Sequence, residues 1–327
     1  VGSKRSFTAP TELTDELGDR FVSACLSCPD EPCIRFGADE LARSARIDSP
    51  YSPDHSVCPT GAIIRGDEGQ AGIDASSCIG CGLCVIRCPV GAIWLDENTA
   101  IATVEVPIPS SYEWRTSSLE ELIALRDSVE VLLEAERPPC EPAGLLAKQF
   151  ERVSRVVEGA SGQNVLRLLA RNTFLVGGGS ARLKNVGDNN AACELLVDDG
   201  THLLVVEVES GGDALDAMRR VLAGTAVVVA RYGLRPEDVT PTLIFTRLPN
   251  KRVDYYGVAA DVQARLGLTT ITIPTAVLLL CIRVGGLSLE DLTGDVGGLG
   301  EPDGVVPLLT RFGQIDDLIA AGLVPAK

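Results

Sequence analysis

Eight of the eleven cysteines stand at spacings that suit thiolate ligation of iron. Cys78, Cys81, Cys84 and Cys88 form a C-x2-C-x2-C-x3-C run closed by Pro89. Cys25, Cys28 and Cys33 form an earlier triplet, followed much later by Cys58 and Pro59. Three thiolates that reach one cube of iron and sulfide must converge within a few residues, so the chain wraps the cube as a tight loop. Gly80 and Gly82 let backbone N–H groups turn toward sulfur without a Cβ in the way. Structural zinc is the rival chemistry, because C-x2-C pairs also bind zinc. Zinc sites close with four ligands in separated pairs, whereas here a triplet and a distant Cys-Pro occur twice. Disulfides fit poorly, since no secretory leader is visible and cluster thiolates need a reducing compartment.

The run from Ile73 to Trp94 resembles the second half of a bacterial-type two-cluster ferredoxin, and residues 58–63 resemble the end of its first half. The repeat Cys-Pro-x-Gly-Ala-Ile, at 58–63 and again at 88–93, supports an internal pseudo-twofold. The resemblance implies two [4Fe-4S] clusters. One takes Cys25, Cys28, Cys33 and Cys88; the other takes Cys78, Cys81, Cys84 and Cys58. The chain departs from that family twice. Its first triplet is C-x2-C-x4-C, closer to loops in iron–sulfur subunits of molybdopterin oxidoreductases, and residues 34–57 replace a three-residue gap. The first cluster is therefore left open between [4Fe-4S] and [3Fe-4S].

These loops need elements to hold them. A chain of 327 residues has room for two domains with separate cores. The fold class expected is α+β: a dicluster ferredoxin-like domain over 1–106, a linker and helical connector over 107–172, an α/β domain with a mixed sheet over 173–285, and a tail over 286–327. Short strands are expected near 63–64, 93–95 and 100–106, with a short helix over 38–47. Ser118 and Glu121 form a capping box that opens a helix to about 136, with Leu122, Leu125, Val129 and Leu132/Leu133 as its apolar face. Helices follow at about 143–157 and 163–172. After the Gly-rich turn at 177–179 the order becomes β-β-α-β-α-β, with strands near 192–197, 202–209, 242–246 and 269–273 and helices near 213–232 and 255–266. A last helix is expected over 314–321. That order implies a mixed sheet flanked by helices.

The formal net charge is −16. Residues 1–150 carry 12 Lys+Arg against 24 Asp+Glu, and residues 151–327 carry 17 against 21. The acidic half suits a redox partner protein with a basic docking patch and opposes general nucleic-acid affinity, which is left to the C-terminal part alone. No apolar stretch is long enough to span a bilayer, so no membrane association is expected and the compartment is read as cytoplasmic.

One further constellation carries chemistry. Glu194 precedes a turn at 198–201, and Glu207 and Glu209 follow it on the next strand. Residues i and i+2 of a strand share a face, so Glu207 and Glu209 point together, and Glu194 can join them across the hairpin. This pattern resembles the core hairpin of the restriction-endonuclease-like, or PD-(D/E)xK, superfamily, in which grouped carboxylates bind Mg²⁺ or Mn²⁺ and activate water. Glu209 stands where that family carries lysine; Lys184, Lys251 and Arg252 are the cations the sequence offers instead. His55, His202 and the leftover Cys140, Cys193 and Cys281 form no further set, and Cys281 lies in an apolar run that suits burial. Three functions compete. The chain is an electron-transfer or redox-sensing protein with a second domain, a metal-dependent nuclease with structural or gating clusters, or a noncatalytic adaptor that brings a ferredoxin to its client. The first is preferred because electron transfer is the commonest use of such clusters.

Overall fold

The computed structural model describes residues 24–42, 54–66, 69–105, 118–136, 143–159, 162–185, 192–198, 200–210, 212–250, 254–283, 310 and 315–320. Expectations for the linker at 106–117, for Cys140, Lys251 and Arg252, and for the second half of the helix at 38–47 lie outside them.

The cysteine-rich part is two small hairpins related by the sequence repeat. β1 (Ile63–Arg65) pairs antiparallel with β2 (Ala71–Ile73), and β3 (Ile93–Leu95) pairs antiparallel with β4 (Ala102–Val104). Each Cys-Pro-x-Gly-Ala turn enters its hairpin through a glycine of positive φ, Gly61 at 69° and Gly91 at 65°. An L side chain resists that conformation, which explains glycine at both places. The closing bonds repeat too: Asp74 N–H reaches the Ala62 carbonyl at 2.8 Å and Glu105 N–H reaches Ala92 at 2.9 Å. Between the hairpins runs α2 (Leu83–Arg87); α1 (Ala38–Ala42) is the described part of the long insert. Arg87 fastens that insert, donating to the Glu40 carboxylate at 2.8 Å and to the Pro32 carbonyl at 2.5 Å.

The helical connector follows the expected bounds except at its last helix, which runs on to Val176 rather than ending near 172. In α3 (Leu119–Glu136) the capping box closes in both directions, Ser118 N–H to Glu121 at 3.0 Å and Glu121 N–H to the Ser118 hydroxyl at 3.2 Å. Val129 is buried on its inner face, with Leu122 and Leu125 partly covered. α4 (Ala143–Val157) and α5 (Gly162–Val176) come next.

A five-stranded sheet follows, ordered β5 (Ser180–Leu183), β6 (Leu195–Asp198), β7 (Leu203–Glu209), β8 (Val239–Phe245) and β9 (Ile271–Pro274). β5, β6 and β7 pair antiparallel; β7, β8 and β9 pair parallel. The parallel pairs need crossovers, supplied by α6 (Ala214–Tyr232) and α7 (Tyr255–Leu266). Asp213 caps α6 by accepting from Asp216 N–H at 2.9 Å, and Gly233 ends it in the left-handed region. β5 is a strand the sequence reading did not assign between the Gly-rich turn at 177–179 and the strand expected near 192. All four residues of β5 are buried, and packing against α5 and pairing with β6 define it. The apolar run after Pro274 forms α8 (Thr275–Arg283), buried at every residue except Arg283, and α9 (Ile315–Ala320) packs on α4.

Strand alternation divides the core. Leu203 and Val205 face α6 and α7 in one apolar cluster, while Leu204, Val206 and Val208 face α4, α5 and α8 in another. The second cluster does not stop at the connector. It continues into Phe36, Leu41, Val57, Ile79 and Leu83 of the cysteine-rich part. The sheet and the cysteine-rich part thus share one apolar cluster, while the hairpins keep another around Ile63, Ala71, Val90, Ile93 and Leu95: α4, α5 and α8 bury the sheet on one side and meet the cysteine loops on another. Burial of each such leucine contributes about 1.5–3 kcal/mol.

Candidate functional site

The eight cysteines divide into two recesses. Cys58, Cys78, Cys81 and Cys84 line one, with Ala62, Ile63, Ile73, Leu83 and Ala102 as apolar walls. Cys25, Cys28, Cys33 and Cys88 line the other, with Ile34, Ala71, Val90 and Ile93. In each recess the lone Cys-Pro cysteine crosses over to the triplet of the other half, the grouping the ferredoxin resemblance implies.

Local geometry repeats around the crossing cysteines. Ala62 N–H points to Cys58 Sγ at 3.2 Å, and Ala92 N–H points to Cys88 Sγ at 3.2 Å. Gly80 N–H reaches Cys78 Sγ at 3.4 Å, and Ala71 N–H reaches Cys25 Sγ at 3.5 Å. Backbone donors aimed at sulfur stabilise negative charge there. Five of the thiols resist ionising. Burial, and then the Cys88 and Cys25 thiols beside it, pushes Cys28 up to about 12. Burial followed by Cys58 pushes Cys81 up to about 12. Cys33, Cys84 and Cys88 are raised for the same first reason. Crowded, desolvated thiols such as these five become thiolates readily where metal charge compensates them. Among the described residues no three His, Cys, Asp or Glu side chains converge on a single ion position. The sulfurs surround a volume instead, which suits a cluster better than a zinc ion.

Side chains from outside the cysteine frame hold these loops. Arg152 of α4 donates to the Cys78 carbonyl. Arg171 and Asn172 of α5 grip the segment before Cys58: Arg171 bonds the Asp54 carbonyl at 3.0 Å, and Asn172 bonds Ser56 at 3.1 Å and Val57 at 2.8 Å. Arg283 of α8 lies against Gly82, where a Cβ would overlap its Nη2. None of these residues was singled out from sequence. They lie far along the chain from the cysteines they serve, with no local signal.

Two carboxylates of the second constellation, Glu207 and Glu209, come together around a cation, and Glu194 is held by other partners. Glu207 and Glu209 share the sheet face of Leu203 and Val205, and Arg220 of α6 bonds them at 2.5 and 2.7 Å while also pairing with Asp216. Glu194 accepts from Val208 N–H at 3.1 Å and lies 3.8 Å from Arg167 Nε. Burial, then Glu194, raises the Glu207 carboxyl; burial raises that of Glu194. Among the described residues, the cation bonded to Glu207 and Glu209 is thus Arg220, which the sequence reading did not offer. Its position one turn after Asp216 on the helix following Glu-x-Glu was the available clue. Cys281 is buried as its apolar run implied, and Cys193 is buried with its thiol pushed up to about 12 by burial and then Glu207.

Residues 71–94 match the family described as the 4Fe-4S binding domain, so this stretch is a ferredoxin-type iron–sulfur domain. Similar proteins agree with that class. The thiosulfate reductase electron transfer subunit PhsB of Salmonella typhi is 33% identical over 96 residues, 29% of this chain and 39% of that protein. The uncharacterised ferredoxin-like protein YdhX of Escherichia coli K12 is 32% identical over 82 residues, 25% of this chain and 28% of YdhX. An iron–sulfur protein of Rhodospirillum rubrum is 35% identical over 84 residues, 26% of this chain and 33% of that protein. The chain thus spans well under half the length of these relatives. No solved structure matches it. No helix among the described residues is long and apolar enough to cross a membrane.

Proposed function

We propose that this chain is an electron-transfer protein that carries two [4Fe-4S] clusters, one on Cys25, Cys28, Cys33 and Cys88 and one on Cys58, Cys78, Cys81 and Cys84. The observation that carries the reading is the division of the eight cysteines into two four-cysteine recesses with crossed Cys-Pro ligands. The clusters would supply one-electron chemistry; the chain's part is to bury them, aim N–H groups at sulfur and keep them close enough for exchange. The similarity to an electron-transfer subunit supports a protein redox partner, and the acidic N-terminal half suits a basic docking patch on it. Thiolate ligands of this kind fit a reducing compartment such as the cytoplasm. Anaerobic reconstitution should load about eight irons and eight sulfides per chain, the sum of two cubanes. Loading of only about four would overturn the two-cluster reading.

The C-terminal part takes the restriction-endonuclease-like reading from its strand order, a hairpin of β6 and β7 followed by parallel crossovers to β8 and β9. A metal-dependent nuclease is the second reading, favoured by Glu207 and Glu209 alternating onto one face of β7 with Glu194 near enough to raise the Glu207 carboxyl. Arg220 opposes it, since it already neutralises two of the three. Cluster-loaded protein, given Mn²⁺ and labelled single- and double-stranded DNA without air, decides. Cleavage lost in Glu207→Ala would make the chain a nuclease whose clusters gate or brace it. No cleavage leaves a carrier whose α/β unit recognises its client.

A further inference from the structure

The two recesses differ in the charges the chain sets beside them. The walls of the Cys58, Cys78, Cys81 and Cys84 recess include no charged residue, yet two guanidinium groups from the connector and the α/β unit reach its loop. Arg152 holds the Cys78 carbonyl at 2.9 Å, and Arg283 occupies the space a Cβ on Gly82 would fill, next to Cys81. Gly82 has φ of 77°, so the backbone at this point requires glycine, and the space so opened admits the arginine. The Cys25, Cys28, Cys33 and Cys88 recess has Glu31 in its wall, and Asp30 and Arg126 lie by Cys28 with their charges opposed. Glu31 pairs with Arg35 and Arg65, as Asp30 does with Arg126, so each carboxylate beside this recess already has its own cation.

Reduction adds one negative charge to a buried, weakly screened volume. A fixed cation beside it makes that electron easier to accept, and a carboxylate makes it harder. We propose that Arg283 makes the cluster held by the Cys58 set the more readily reduced of the two. An electron delivered to the Cys25 set by a one-electron donor then passes to the Cys58 set and rests against α8 and the α/β unit. This rests on the two-cluster reading and adds to it a direction. Arg283 is a positioning residue for charge and ligates nothing.

Potentiometric titration of the cluster-loaded full chain, followed by electron paramagnetic resonance, tests it, with signals assigned by Cys84→Ser and Cys28→Ser. Arg283→Gln should move the higher midpoint in the negative direction and leave the lower one in place, while Arg283→Lys should retain it. Glu31→Gln should raise the lower midpoint, which keeps the idea testable should Arg283→Gln fold poorly. Full iron content with an unmoved higher midpoint in Arg283→Gln, or a higher midpoint that belongs to the Cys25 set, would overturn the inference and leave the two-cluster reading standing. An iron content of about half would instead sink that reading itself.

Discussion

Arg152 of α4 donates two hydrogen bonds to the carbonyl of Cys78, from Nη2 at 2.9 Å and Nε at 3.3 Å. A side chain of the connector thereby fixes the backbone of a cysteine loop 74 residues earlier. Charged hydrogen bonds of this kind contribute about 1.5–3 kcal/mol, more than a neutral pair. Arg152→Met keeps the aliphatic stem and removes the donors. It should lower the stability of cluster-loaded protein by about 1–3 kcal/mol in chemical denaturation and speed release of iron from the Cys58 set. Unchanged stability and iron retention would show that the loop holds itself.

Two glycines separate backbone conformation from space. Gly80 and Gly61 both have positive φ, 67° and 69°. A Cβ on Gly80 would overlap the carbonyl oxygen of Ala100, which is backbone and cannot swing aside; one on Gly61 meets nothing within 4 Å. Gly61→Ala should therefore cost only the left-handed strain, about 1–2 kcal/mol. Gly80→Ala adds overpacking and should cost about 2–5 kcal/mol, with loss of one cluster's absorbance. Equal effects in paired melts would refute the steric argument.

The crossed grouping has a direct spectroscopic consequence. Cys58 lines the recess of Cys78, Cys81 and Cys84, whereas Cys88 lines that of Cys25, Cys28 and Cys33. Cys58→Ser should alter the same resonance signal as Cys84→Ser, and Cys88→Ser the same signal as Cys28→Ser. Grouping by sequence neighbourhood, with Cys88 perturbing the signal of Cys84, is the outcome that would reject it.

Arg220 neutralises Glu207 and Glu209 under a nearly closed surface, with the two carboxylate side chains 8% and 14% exposed and Arg220 itself 42% exposed. Arg220→Ala leaves both anions without that partner. Solvent reaches the guanidinium, so the expected loss is about 1–3 kcal/mol, below that of a fully buried pair. Arg220→Ala combined with Glu207→Gln should recover part of it in thermal melts. Absence of recovery would mean that Arg220 works through its stem packing.

The chemistry of this chain was legible because cysteine spacing is a local property. Three ligands of one cluster lie within a few residues, so Cys78, Cys81, Cys84 and the paired Cys-Pro-x-Gly-Ala-Ile turns announce themselves in order. The same holds for the capping box at Ser118 and Glu121 and for α7, whose bounds match those expected. Three things depended on the fold. β5 follows three glycines and becomes a strand only because α5 and β6 cover it. The carboxylates Glu207 and Glu209 read as a candidate metal site until α6 delivers Arg220 between them. Arg152, Arg171 and Arg283 reach the cysteine loops from α4, α5 and α8, through a shared apolar core that length alone suggested would be two. Ligand spacing is set by bond lengths along the chain and so is written in sequence order. The charges that surround those ligands come from helices packed across the core, and their arrival depends on distances that no local pattern records.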